Sequence, residues 1–139
     1  MENIKGWDVT PEELEKSKEM KPLLPISKLV PNDEESHEDV VIKENEPRII
    51  EYNDSEGKPQ SFKVIGVYAV VGNSYIEADM PVGAKTLQLS LLRYAPLKGK
   101  ILRISATTAM FRQGENRAYR VTEIKGERAE QIKALSLDI

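Results

Sequence analysis

The side chains best suited to chemistry in this sequence are basic and aromatic ones that alternate between residues 85 and 128. This stretch holds ten basic and three acidic residues, a local net charge of +7. Cations that contact phosphates and rings that stack on bases, at about 1–3 kcal/mol per base, are what single-stranded nucleic acid binding requires. The sequence therefore predicts such a surface, and its candidate residues are Arg103, Arg112, Arg117, Arg120, Lys100, Phe111, Tyr119 and Tyr94. The alternative is an ordinary solvated face or a protein interface, with the aromatic rings in the core.

Residues that catalyse reactions or bind metals are scarce. The chain has no cysteine and one histidine, His37, which excludes disulfides, thiolate zinc sites, iron–sulfur clusters and cysteine nucleophiles. The sequence VGAKT at residues 82–86 ends like a phosphate-binding loop, but it lacks the upstream glycine and no helix is expected after it. We predict a protein without enzymatic activity, cofactor, metal or small-molecule substrate.

Charge divides the chain into two parts. Residues 1–46 carry 13 acidic residues against six lysines, a net charge of −7, whereas residues 47–139 have a net charge of +4. Every Tyr and Phe lies after Pro47. This pattern predicts a poorly packed acidic arm at residues 1–46, a compact β-barrel domain at 47–126 and a short C-terminal helix and tail at 127–139.

The acidic arm is itself varied. Thr10-Pro11-Glu12-Glu13 predicts a helix over about residues 11–20, and three prolines between residues 21 and 31 favour an extended path after it. Residues 32–39 are interpreted as an acidic linker, and residues 32–46 are expected to rest near the basic stretch. The alternative is that these acidic residues only keep the domain soluble. The apolar residues of this arm suggest a docking site for a larger protein, and they are Trp7, Leu14, Leu23, Leu24 and Ile26. Those of the Pro-rich stretch are expected to lie along a groove either of this protein or of another. Folding of Trp7 back over the barrel is the alternative.

The remainder of the chain has the pattern of short strands separated by turns. Residues 48–52, 61–71, 74–79, 86–92, 100–111 and 117–124 are predicted strands, and residues 127–135 form a short amphipathic helix. Two of the strands are long, and Gly66 interrupts one of them. A small closed or partly open β-barrel is the most economical way to arrange them, because an open sandwich would leave edges unprotected.

The order of these strands resembles an OB-fold. The likeness covers residues 40–125 and includes the sequence LKGKILRI at residues 97–104, which is similar to the entry into the fourth strand of single-strand-binding and replication protein A-like domains. No helix is expected between the third and fourth strands, where many OB-folds have one. The resemblance implies binding of single-stranded DNA or RNA as an accessory to replication, repair or RNA metabolism. It equally implies a protein-docking subunit of a larger nucleic-acid-processing complex, such as a polymerase accessory subunit.

The sequence also predicts where the protein resides. No apolar run approaches the roughly 20 residues of a membrane span, and the first ten residues lack the pattern of a signal peptide. We expect an intracellular protein, in the cytoplasm, nucleus or nucleoid, without a membrane partner.

Overall fold

The computed structural model describes residues 2–19, 21–53, 55–111 and 114–138, without the side chains of residues 16–19, 52, 111, 115 and 116. The mainly β fold class is confirmed. The elements within these residues are, in order, α1 (Pro11–Glu19), a 3₁₀ turn (Ile26–Lys28), β1 (His37–Ile42), β2 (Arg48–Asn53), β3 (Pro59–Val71), β4 (Ser74–Pro81), α2 (Lys85–Leu92), β5 (Ile101–Phe111), β6 (Gly114–Glu123) and α3 (Glu127–Lys133).

One antiparallel sheet contains all six strands, in the order β2-β3-β1-β5-β6, and β4 pairs with the other edge of β3. The long β3 strand organises this sheet. Its first half pairs with β2 up to Arg48↔Val64, and its second half pairs with β1 from Ile42↔Val67 onward. Gly66 lies between the two halves, where a Cβ atom would come within 2.5 Å of Glu44 Oε1.

The central strand, β1, was not expected from the sequence. The interpretation of residues 32–39 as a linker is wrong, because His37–Ile42 pairs with β3 on one side and with β5 on the other. Val40, Val41 and Ile42 are fully buried. A boundary between residues 46 and 47 would remove this strand from the sheet, so the folded domain begins well before Pro47.

The sheet is open between β4 and β6, which are not paired within the described residues. Residues 22–32, called the bridging segment below, contact β4 at one end and β5 at the other. At one end, Asp79 N–H donates to Pro22 O and Leu24 N–H donates to Asp79 O, both at 2.9 Å. At the other end, Asn32 N–H donates to Ala106 O at 2.9 Å. The bridging segment therefore links β4 to β5 and covers part of the core.

Residues 86–92 form a helix, so the strand predicted there is wrong. The alternating leucines that suggested a strand also satisfy helical spacing: Leu87 and Leu91 are four residues apart and both are buried. Leu89, which the strand pattern would place beside them, is 56% exposed. The expectation that no helix follows the VGAKT sequence is therefore also wrong, although the upstream glycine of a phosphate-binding loop is still missing.

Two hydrophobic clusters lie on opposite faces of the sheet. The larger one fills the inner face and includes residues from the bridging segment, from α2 and from every strand except β2. The smaller one lies on the outer face, where α3 covers Val41, Tyr68 and Val70 with Ile132. Tyr68 Oη donates to Asp138 O at 2.7 Å, which holds the C-terminal tail over the same face.

Candidate nucleic-acid interface

The hairpin of β5 and β6 extends beyond the rest of the sheet. β1 pairs with β5 only as far as His37↔Ser105, whereas β5 and β6 remain paired to Phe111↔Gly114. Asn32 supports this extension, since its side chain accepts from Thr107 Oγ1 at 2.7 Å and donates to Thr108 Oγ1 at 3.2 Å. The predicted binding residues Arg103, Phe111, Arg117, Tyr119 and Arg120 lie on this hairpin.

Arg103 neutralises a buried acid of the central strand. Its Nε donates to Asp39 Oδ1 at 2.7 Å and its Nη2 to Asp39 Oδ2 at 3.1 Å, a bidentate pair across β1 and β5. Arg128 of α3 adds a third bond, from Nε to Oδ2 at 3.4 Å. The acidic segment thus does contact the basic stretch, but through a fixed pair within the sheet, so Arg103 is not a free phosphate ligand.

These basic neighbours lower the pKa of Asp39. Burial by itself raises the pKa, but the hydrogen bonds and positive charge of Arg103, followed by His37 and Arg128, hold it below the ordinary value of 3.8. The neighbouring Glu38 behaves in the opposite way. Burial raises its pKa, the negative charge of Asp39 adds to this, and His37 does not offset it.

Arg117 also has a structural contact. Its Nη1 donates to Leu29 O at 2.6 Å, so it ties the bridging segment to β6. The guanidinium is partly buried there. This hydrogen bond holds the bridging segment against β6. It explains the position of Arg117 without the predicted contact with a phosphate.

Tyr94 and Tyr119 pack against the inner core instead of standing free as stacking platforms. The Tyr94 hydroxyl donates to Val121 O at 3.2 Å. The backbone N–H of Tyr119 donates to Thr86 Oγ1 and its carbonyl accepts from Ser90 Oγ, both at 3.3 Å. α2 thus lies along the outer edge of β6 and satisfies its backbone groups, and both tyrosines belong to that junction.

Three further candidates have different positions. Arg112 lies outside the described residues, and the side chain of Phe111 lies outside them as well. Lys100 precedes β5 and lines a surface cavity of about 330 Å³ with Lys125 and Lys133, at the opposite end of β5 from the hairpin turn. The structure does not bring Lys100 together with the hairpin residues.

Arg120 is the predicted residue that the structure leaves exposed. It lies opposite Ser105 on the outer face of β6, and it has no acidic partner among the described side chains. Arg93 at the end of α2 is also exposed. Because Ser90 contacts β6 and Arg93 follows it by three residues, Arg93 lies on the same flank of the helix. The strand predicted for residues 86–92 concealed this helical spacing, so Arg93 was missed.

The candidate partner-binding residues divide into two groups. Leu24 and Ile26 are 5% and 4% exposed and belong to the inner core. Of the two alternatives, they lie along a groove of this protein, and their prediction as a docking site for another protein is wrong. Trp7 is 70% exposed, and Leu14 and Leu23 are about 40% exposed. Only these last three lie on the surface.

We also searched the described residues for a metal site and for a membrane-spanning helix. They contain no group of three or more His, Cys, Asp or Glu side chains that could hold a metal ion. None of their helices is long and apolar enough to cross a membrane. Comparison of the chain with protein-family models, with curated proteins and with solved structures found no match.

Proposed function

We propose that this protein binds single-stranded DNA or RNA along the outer face of β6 and the end of α2 that lies beside it. The observation that carries the proposal is the pair of exposed guanidinium groups, Arg93 and Arg120, on two elements that hydrogen-bond to each other. Both lie at the base of a hairpin that extends beyond the sheet. Guanidinium groups both grip phosphates and stack on bases.

The strand connections support an OB-fold-like barrel as the scaffold. β1 and β2 occupy successive parts of the same edge of β3, in the manner of one long strand interrupted at residues 43–47. If they are counted as one strand, α2 falls between the third and fourth strands, where many OB-folds have a helix. The open side of the sheet, which the bridging segment and α2 cover, corresponds to a partly open barrel.

The distribution of charge supports binding at this place. The whole chain has a net charge of −3, so nonspecific attraction to nucleic acid is weak. Several other cations are already paired: Arg48 with Asp79 and Glu44, and Lys43 with Glu77. Because so few cations are available to contact the nucleic acid, we propose an accessory role in replication, repair or RNA metabolism.

The test is fluorescence anisotropy with a labelled oligonucleotide of about 20 nucleotides, in DNA and RNA forms, over a series of salt concentrations. We expect affinity to fall as salt rises, because binding releases counterions. For single strands, the slope of log K against log salt should decrease by about 0.7 for each phosphate that the protein no longer neutralises. Arg120→Gln should remove about one such unit, and Arg93→Gln with Arg120→Gln about two.

Lys133→Gln is the matched control. It also removes one positive charge from an exposed side chain, but it lies on α3 beside the start of β5. Its slope should equal that of the unmodified protein. The proposal fails if the unmodified protein does not bind at low salt and micromolar concentration, or if all variants share one slope.

A further inference from the structure

The segment before the bridging segment presents an exposed tryptophan on a locally ordered loop. Ile4 N–H donates to Val9 O at 2.7 Å and Trp7 N–H donates to Ile4 O at 2.8 Å, which closes the loop around Trp7. Thr10 then begins α1, with Glu13 N–H donating to its Oγ1 at 3.2 Å. Trp7 is the single tryptophan of the chain and is 70% exposed. A large ring presented by ordered backbone is a favoured anchor at protein interfaces.

A second exposed apolar surface lies on α2. Its solvent side carries Leu89 and Leu92, which are 56% and 64% exposed, and Lys85 and Arg93 flank them. We call these four residues the α2 outer face. The segment at residues 2–19 has the opposite charge, since it contains six acidic residues and three lysines. The two surfaces therefore match in both apolar character and charge.

The direction of the chain where it runs along β4 argues against contact between the Trp7 loop and the α2 outer face of the same molecule. The bridging segment runs parallel to β4 at Leu23↔Asp79, and Lys21 forms an ion pair with Glu77 at 3.1 Å. Followed back from Leu23 to Lys21, the chain therefore runs towards the start of β4. α2 begins beyond the opposite end of β4, after Pro81.

From these observations we infer that the Trp7 loop and α1 of one copy dock on the α2 outer face of a second copy. The exchange is reciprocal, so a two-fold dimer contains two equal contacts and leaves none unfilled. Each contact is small, which predicts weak association that depends on concentration and, through its charges, on salt. Arg93 belongs to both this surface and the proposed nucleic-acid site, but the inference does not depend on nucleic acid binding.

The test uses Trp7 as its own probe. As the concentration of the full chain rises, sedimentation equilibrium should show a mass increasing from 15.7 kDa towards twice that value. Trp7 emission should shift to shorter wavelength over the same range, because the ring leaves water. Leu89→Gln with Leu92→Gln should abolish both changes, and since both side chains are exposed the fold should be retained.

Complementation makes the test specific. A chain with Trp7→Gln and a chain with Leu89→Gln and Leu92→Gln should each remain monomeric. When they are mixed, the one remaining tryptophan should shift to shorter wavelength, because the first chain retains an intact α2 outer face. Ile49→Thr, which changes another exposed apolar residue on β2, is the control and should associate normally.

Three results would overturn the inference. Trp7 emission typical of a solvated ring at every concentration would show that it does not dock. A short-wavelength emission that depends on Leu89 and Leu92 but not on concentration would place the contact within one molecule. Self-association that survives the double leucine substitution would assign the interface to another surface.

Discussion

Adjacent acidic residues on β1 have opposite electrostatic environments. Asp39 lies opposite Arg103 in the register, whereas Glu38 lies opposite the apolar Ile104. Because successive side chains of a strand point to opposite faces, Asp39 meets two arginines on the outer face and Glu38 points towards the core side. Cations keep the pKa of Asp39 low, while burial keeps that of Glu38 high.

At the residue scale we predict that Asp39→Asn lowers the free energy of unfolding at pH 7 by about 1–3 kcal/mol. The substitution leaves Arg103 and Arg128 without their carboxylate, and partial exposure of Arg103 keeps the effect below the value for a fully buried pair. The pKa of Asp39 is lower in the folded than in the unfolded chain. Its stabilisation is therefore complete above the ordinary value of 3.8 and is lost as pH falls through the folded-state pKa.

Urea denaturation at pH 7 and below pH 4 measures this effect, and the difference between Asp39→Asn and the unmodified protein should shrink in acid. Glu38→Gln is the matched control, since it replaces the adjacent carboxyl. Because burial disfavours the charge of Glu38, this substitution should not destabilise the protein at pH 7. Equal destabilisation by both variants would contradict the assignment.

At the element scale, α2 acts as the cover for the free edge of β6. Thr86 and Ser90 are one helical turn apart and bind the N–H and carbonyl of the same residue, Tyr119. Ala106↔Tyr119 is thus a position where β6 turns its backbone groups away from β5. Without α2, these two groups would need other partners.

We predict that Thr86→Val combined with Ser90→Ala lowers the free energy of unfolding by about 1–3 kcal/mol. A buried backbone group that is deprived of its partner contributes this order of cost. Amide hydrogen exchange at Tyr119 should also become faster. Thr122→Val, an equivalent change at an exposed position on β6, should alter neither quantity. Unchanged exchange at Tyr119 in the double variant would rule out the proposed cover.

At the scale of the whole molecule, the limit of the folded domain lies within the Pro-rich segment. Leu24, Ile26 and Leu29 are buried in the inner core, although they precede every strand in the chain. The bridging segment also satisfies backbone groups of Asp79 and Ala106. The domain therefore includes the bridging segment, whereas the described contacts of Ile4, Trp7 and Thr10 are local.

Two truncations should consequently behave differently. Removal of residues 1–20 should leave the melting temperature of the monomer within about 2 °C, because none of the side chains described in this range is buried. Removal of residues 1–30 should prevent folding, since each large buried side chain contributes about 2–5 kcal/mol to a total stability of about 5–15 kcal/mol. Circular dichroism with temperature distinguishes the two.

Point substitutions provide the matched pair for these truncations. Leu24→Ala should cost about 2–5 kcal/mol, whereas Leu23→Ala, at a neighbouring position that is 42% exposed, should cost much less. If both leucines prove equally tolerant, the bridging segment is not part of the folded core.

Local patterns in the sequence determined much of the β structure. The predicted strand at residues 48–52 is β2 (Arg48–Asn53), and the one at residues 100–111 is β5 (Ile101–Phe111). Alternation of apolar and polar residues, with turn residues at the ends, is a property of neighbouring positions, so a single sequence contains it. The charge of the basic stretch, and Arg120 within it, could be identified in the same way.

The remaining features depended on the tertiary structure, because the residues that contact one another in them are distant in the chain. The spacing of Leu87 and Leu91 fits a strand or a helix. The helix is the form in which Thr86 and Ser90 hydrogen-bond to the free edge of β6. Asp39 has the pattern of a solvated linker until β5 brings Arg103, 64 residues away, to its carboxylate. Leu24 and Leu23 are chemically identical, and only the packing of the bridging segment against the sheet buries one and leaves the other in water.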